Sequence, residues 1–209
     1  MPVTIDGTNG ITSPGVDSTN LVLDGSTSGS ITMLAPAVAG TNTQTLVAVT
    51  GTLAPVVRAT AITVSGTTVD FTSIPSWVRR ITVMFIGVST SGTSNILVQL
   101  GDSGGVETTG YVSQANTFNS APGGTASTAG FLMLNTTVAA NSYSGVVPIC
   151  NPNGNDWVTS GVLVASTAAQ GISIFGGIKT LSATLDRVRI TTVNGTDTFD
   201  SGTINIIYE

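Results

Sequence analysis

The stretch PSWVRRITVMFIGVSTSGTSNILVQL, residues 75–100, decides the fold class. From 81 to 88 nearly every position is apolar, the pattern of a strand covered on both faces. In 96–100, Ile96, Val98 and Leu100 fall on one face and Leu97 and Gln99 on the other, the period of two that a pleated strand imposes. Between the two runs, 89–95 is built of serines, threonines, Gly92 and Asn95, side chains that tolerate or stabilise turns. The spacing therefore predicts a central β-hairpin of two buried strands. Nothing inside it can do chemistry, so function has to come from what surrounds it.

Outward from this stretch the same pattern repeats. Runs at 61–64 and 69–71 flank the turn residues 65–68 and read as a first hairpin; Pro75 then interrupts the ladder and Trp77 is placed as an end cap. Runs at 131–134, 145–150, 156–165 and 171–178 have the short, evenly spaced character of an all-β sandwich. Asn151-Pro152-Asn153-Gly154-Asn155 is a strong turn, so the strand ending at Cys150, read as a small core residue, should pair with the one starting at Trp157. In 184–192, Leu185, Arg187 and Arg189 alternate with Asp186, Val188 and Ile190. The last strand, 203–208, is expected to reach its partner through Asn194-Gly195. Residues 116–130, small and polar, form the longest expected loop.

No segment of more than a dozen residues carries helical periodicity, while Thr, Val, Ile and Gly dominate. The expected fold is an all-β antiparallel sandwich, jelly-roll-like, over residues 57–209. Residues 1–56 differ: they hold no aromatic side chain and are rich in Gly and Pro, so they are expected to form an extended N-terminal β-arm that orders by adding short strands to a neighbour.

Only 8% of the 209 residues are charged, against about a quarter in ordinary soluble domains. A surface of Thr, Ser, Asn and Gly with so little charge is expected to be covered by other copies in an assembly. Six basic residues against eleven acidic ones give a net charge of −5, which argues against a nucleic-acid partner. No run approaches the roughly 18 apolar residues of a spanning helix, so no membrane insertion is expected; nor does the N-terminus carry a basic-then-apolar secretory pattern. The single Cys rules out an internal disulfide framework and a Cys-based zinc site.

Histidine is absent, which removes the commonest general base and metal ligand. A two-carboxylate hydrolase acting on polysaccharide would draw on Asp70, Asp102, Glu107, Asp156, Asp186, Asp197, Asp200 or Glu209. Most of these sit in expected turns, where Asp serves the backbone, so no catalytic residue is assigned. The glycine-rich 101–110 lacks the Lys-Ser/Thr ending of a phosphate loop, and no cofactor is expected. Asn194, Asp197 and Asp200 offer oxygen ligands for calcium, but equally make a simple turn, and no metal is assigned. Arg187 and Arg189 are expected to pair with carboxylates across the sheet rather than to bind a partner across a subunit interface. For contact with a host-surface glycan or protein, the side chains singled out are Phe118, Tyr111, Tyr143, Asn153 and Asp156, the aromatics because their faces stack on sugars.

The opening MPVTIDGTNGIT with GSTSGSITMLAPAVAGTNTQTLVAVTGTL resembles the N-terminal arms of tailed-bacteriophage fibre proteins. FTSIPSWVRRITVMFIGVSTSGTSNILVQLGDSGGVETTGY, closing with LDRVRITTVNGTDTFDSGTINIIYE, is similar to the C-terminal β-domain of phage tail-fibre-like structural proteins. The resemblance implies a virion component without a catalytic motif, a homotrimer, fixed to other virion proteins by residues 1–56 with its β-domain outward; from the arm-plus-sandwich layout, host contact is expected through loops at 101–110, 113–130 and 151–156. The chain lacks a long repetitive shaft, which leaves a head-fibre or capsid-decoration role as the alternative.

Overall fold

Strands are the regular elements of the computed structural model, which describes residues 20–24, 30–34, 55–118, 123–166 and 171–209. The chain divides into two units, Met1–Gly51 and Thr52–Glu209. In the first, β1 (Asn20–Asp24) pairs antiparallel with β2 (Ser30–Leu34). The rest of the expected arm lies outside the described residues up to position 55.

The second unit holds β3 (Val57–Arg58), β4 (Ile62–Thr63), β5 (Val69–Phe71), β6 (Arg80–Thr90), β7 (Ile96–Asp102), β8 (Gly105–Val106) and β9 (Tyr111–Phe118). It continues with β10 (Gly124–Ser127), β11 (Phe131–Leu132), β12 (Tyr143–Asn153), β13 (Asp156–Ala165), β14 (Ile172–Thr180), β15 (Arg187–Thr192) and β16 (Phe199–Tyr208). They form two antiparallel sheets. The larger runs β10-β9-β14-β13-β12-β6-β16-β3, with β4 also on β16; the smaller runs β11-β7-β15-β5, with β8 on β7.

The connectivity is that of a jelly roll. Followed through β3/β4, β5, β6, β7, β11, β12, β15 and β16, the chain builds one four-strand layer in the order β3/β4-β16-β6-β12 and another in the order β5-β15-β7-β11. Two hairpins are added to this frame. β9 and β10 leave between β7 and β11, β13 and β14 leave between β12 and β15, and they join through β14 and β9 to extend the larger sheet beyond β12.

The expected all-β sandwich is present, but its expected central hairpin is not. β6 pairs with β12 and β16 in the larger sheet, while β7 pairs with β15, β11 and β8 in the smaller. Both edges of each strand are already taken, so 91–95 is a corner that carries the chain from one layer to the other. The same correction applies to β4 and β5, which join β16 and β15, and to β15 and β16, which lie in different sheets across Asn194-Gly195. The hairpin through 151–155 forms as expected, with Asn153 opposite Asp156. The expected loop 116–130 is instead largely the β9–β10 hairpin, with Ala115 opposite Thr125; residues 119–122 lie outside the described residues.

Between the layers lies one apolar core. Ile81, Val83 and Phe85 of β6, Val98 and Leu100 of β7, Val147 and Ile149 of β12, and Val188 and Ile190 of β15 are all buried in it. Cys150 is half-buried, not a core residue: β12 turns Val147 and Ile149 inward, and the pleat sends Cys150 the other way. The C-terminus is tied in, since the Arg80 N–H donates to Glu209 O at 2.9 Å and the Glu209 N–H donates to Arg80 O at 2.9 Å. Register slips between β16 and β6 where Gly202, at φ +102°, crosses the backbone of Gly87, itself at φ +61°. A Cβ at Gly202 would stand 2.5 Å from Gly87 O, so this bulge needs glycine.

Candidate functional site

The loops of the second unit were expected to meet the host and its carboxylates were weighed for catalysis without assignment; the structure spreads both along the sandwich. In the larger sheet Tyr111 stands opposite Lys179 and Asp156 opposite Thr180 at one end, while Phe118 stands opposite Ile172 at the other. The seven steps from Tyr111 to Phe118 span about 23 Å. The loops 101–110 and 151–156 share the first end: Leu181 N–H donates to Asn155 O, and Ser182 bonds to Asp102 and Glu107. Val57, opposite Tyr208, which is opposite Ile81, enters the sheet at that same end. Of the five singled-out residues, Asn153 and Asp156 thus sit where the chain enters and Phe118 at the far end.

Tyr111 and Tyr143 are buried. Tyr111 is 1% exposed; its hydroxyl accepts the Leu100 N–H at 2.7 Å and lies 3.1 Å from Glu107 O, and its ring meets Phe131 edge-on at 5.1 Å. Burial pushes both tyrosine hydroxyls above their ordinary pKa, Tyr111 the further. Tyr143 accepts the Val138 N–H at 3.0 Å. A buried ring has no face to offer a sugar, so these two act as pins within the fold. Phe118, 55% exposed, does present its ring. Trp157 is buried, and Trp77 lies 6.0 Å from Tyr208 at the end where Val57 enters.

The carboxylates are engaged one by one. Asp70 takes Arg189 in a forked pair at 2.7 and 2.9 Å directly across β5 and β15, the pairing across the sheet expected of it, whereas Arg187 pairs instead with its neighbour in sequence, Asp186, at 2.6 and 3.1 Å. Glu209 pairs with Arg80. Ser182 Oγ stands 2.7 Å from Asp102 Oδ2 and 2.8 Å from Glu107 Oε1, and its one proton serves one carboxylate at a time. Glu107 also meets the 5% exposed Lys179 ammonium at 2.5 Å, and that ammonium lies 5.3 Å over the Tyr111 ring. Burial pushes Glu107 up, but Lys179 and Ser182 outweigh it and hold Glu107 below the usual glutamate value. The Ser182 hydroxyl and the Gly104 N–H do the same for Asp102. This knot fixes the end of the sandwich; each oxygen that would do acid–base work already accepts a local donor.

At 194–200 the oxygens serve the backbone. Asn194 Oδ1 accepts the N–H groups of Thr196 and Asp197 at 3.0 and 3.1 Å, Asn194 Nδ2 donates to Asp197 Oδ1, and Asp200 accepts from Ser89. The Asn194 amide, then the Ser94 N–H, lower the Asp197 pKa. Among the described residues no group of three or more acidic or Cys side chains is placed to hold a metal.

What sequence reasoning missed is a face. The outward side of the larger sheet carries Ile172, Ile174 and Ile178 on β14, flanked by Val158, Val162 and Val164 on β13 and by Val112 and Phe118 on β9, all exposed. Beyond β13 it continues through Val146 of β12 to Met84 and the 67% exposed Ile86 of β6. On β14 the inward positions are Ser173, Phe175, Gly177 and Lys179, so the solvent side is the more apolar of the two. The inner side stays small because residues 131–135 lie against it: Ser173 Oγ donates to Met133 O at 3.0 Å and the Leu132 N–H donates to Ser113 Oγ at 2.8 Å. The Ile-x-Ile spacing of 172–178 was legible, but not which side faced out.

No family model matches the chain, and neither a curated protein nor a solved structure matches it.

Proposed function

We propose that the chain is a non-enzymatic structural protein of a bacteriophage particle, a homotrimeric short fibre or fibre tip. Residues 1–56 attach it to other virion proteins, and the jelly roll contacts the host surface. The supporting observation is polarity along the sandwich: the chain enters beside Asn153 and Asp156, and the exposed Phe118 ring lies at the opposite end. A body held through the residues before Val57 turns that opposite end outward. Contact then belongs to Phe118 and the neighbouring corners 91–95 and 194–198, while the loops 101–110 and 151–156 face the particle. Stacking of the Phe118 ring on a sugar or an apolar side chain supplies the recognition.

The test is competition. Purified full-length protein is expected to block phage adsorption to host cells, and Phe118→Ala to weaken this at least tenfold while Asn153→Ala does not. Absence of both binding and competition by the wild type would end the host-contact reading. Labelling of the capsid surface by immunogold would replace the fibre with a decoration protein.

A further inference from the structure

We infer that the outward face of β14, β13, β12 and β6, with Val112, Gln114 and Asn116 of β9, is buried in solution against the same face of sister copies of this chain, while Phe118 at its corner stays outside the contact. The inference deepens the oligomeric part of the proposed function, which it rests on only for the particle in which the copies meet. The charged residues at outward positions of these five strands, Arg80 and Asp156, both lie at the end where the chain enters, and the face beyond them is uncharged. There β-branched residues stand in register: Val162 stands opposite both Val146 and Ile174, and Val164 opposite Ile172. A solvated sheet face carries polar side chains at such positions. Here β14 reverses the rule, with isoleucines outside and serine, glycine and lysine among its inward residues.

The occupant follows from size and charge. Five strands about 4.8 Å apart, each contributing about seven residues at about 3.3 Å, make roughly 550 Å² of planar sheet before side-chain relief is counted. Monomers rarely leave an apolar patch beyond a few hundred Å² uncovered, and a specific interface takes about 600–1,000 Å² from each partner. A neutral face demands no opposite charge, so an identical face is a complementary partner.

Sedimentation velocity of the full chain at micromolar concentration tests this with Val162→Asp and, away from the face, Val193→Asp. The wild type and Val193→Asp are expected to sediment as the same oligomer, and Val162→Asp as a 21.0 kDa monomer with an unchanged β-sheet circular dichroism spectrum. A monomeric wild type, or a Val162→Asp protein that keeps the wild-type mass, overturns the inference; the second result leaves a trimeric fibre joined elsewhere. A face-to-face dimer keeps the inference and removes the trimer. Should Val162→Asp not fold, Ile174→Cys in a Cys150→Ser background decides: a short bismaleimide joins copies if the face is buried between them, and the lack of any joined species overturns it.

Discussion

Replacing Tyr111 by Phe isolates one oxygen. That hydroxyl accepts the Leu100 N–H at 2.7 Å, on the edge of β7 where β11 has already ended, and so ties the start of a strand in the larger sheet to the smaller one. Phe keeps the edge-on contact with Phe131 and the ring beneath Lys179. Leu100 O is not orphaned, since the Glu107 N–H also reaches it at 3.0 Å. What remains is one buried N–H without an acceptor, a cost of about 1–3 kcal/mol. For a unit of this size each kcal/mol moves the melting temperature by about 2–4 °C, so a drop of about 2–12 °C is expected by scanning calorimetry of the full chain. Host adsorption should be unaffected. An unchanged melting temperature would refute the pin, and lost adsorption with unchanged melting would return Tyr111 to a surface role.

Glu107→Gln should destabilise the protein above the ordinary glutamate pKa, about 4.3, and progressively less below it. The reason is that a folded-state pKa held low contributes stability at higher pH, which is lost as pH falls through that value. Denaturation midpoints from pH 7 to pH 3 that keep a constant gap from wild type would contradict this. Gly202→Val is expected to cost more than about 2 kcal/mol and to remove most soluble protein, because its φ is +102° and its Cβ would meet Gly87 O; wild-type yield and melting would refute it. Asp70→Asn breaks a half-exposed pair with Arg189 and should cost about 0–1 kcal/mol, less in high salt; a larger, salt-independent loss by urea titration would show that the pair is more than a surface contact.

Individual strands were legible because the pleat writes itself into sequence, as in Ile96, Val98 and Leu100 or in Ile204 and Ile206. Layer assignment was not. Serine, glycine and asparagine at 91–95 or 194–195 permit a chain reversal, and the same residues serve a hairpin and a corner between sheets equally well. The hairpin at 151–155 was readable because it joins β12 of the frame to the added β13, which follows it in sequence and lies beside it in the sheet. The near-continuous apolar run 81–88 predicted cover on both faces, but Ile86 is exposed, so one face of β6 is open and continuous apolar character did not report burial there. Phe118, Tyr111 and Tyr143 were singled out alike, and the structure leaves the first ring exposed and buries the other two, because an aromatic beside a turn is equally well placed to point inward.

The added hairpins also set a timetable for folding. β12, β13 and β14 follow one another with short links, so their ladders close loops of few residues. Joining β14 to β9 brings together Phe118 and Ile172, far apart along the chain, and gains nothing until both hairpins exist. The frame closes over longer separations still, since Val57 and Ile81 wait for Tyr208, and a chain halted before β16 would display β6 as a bare edge.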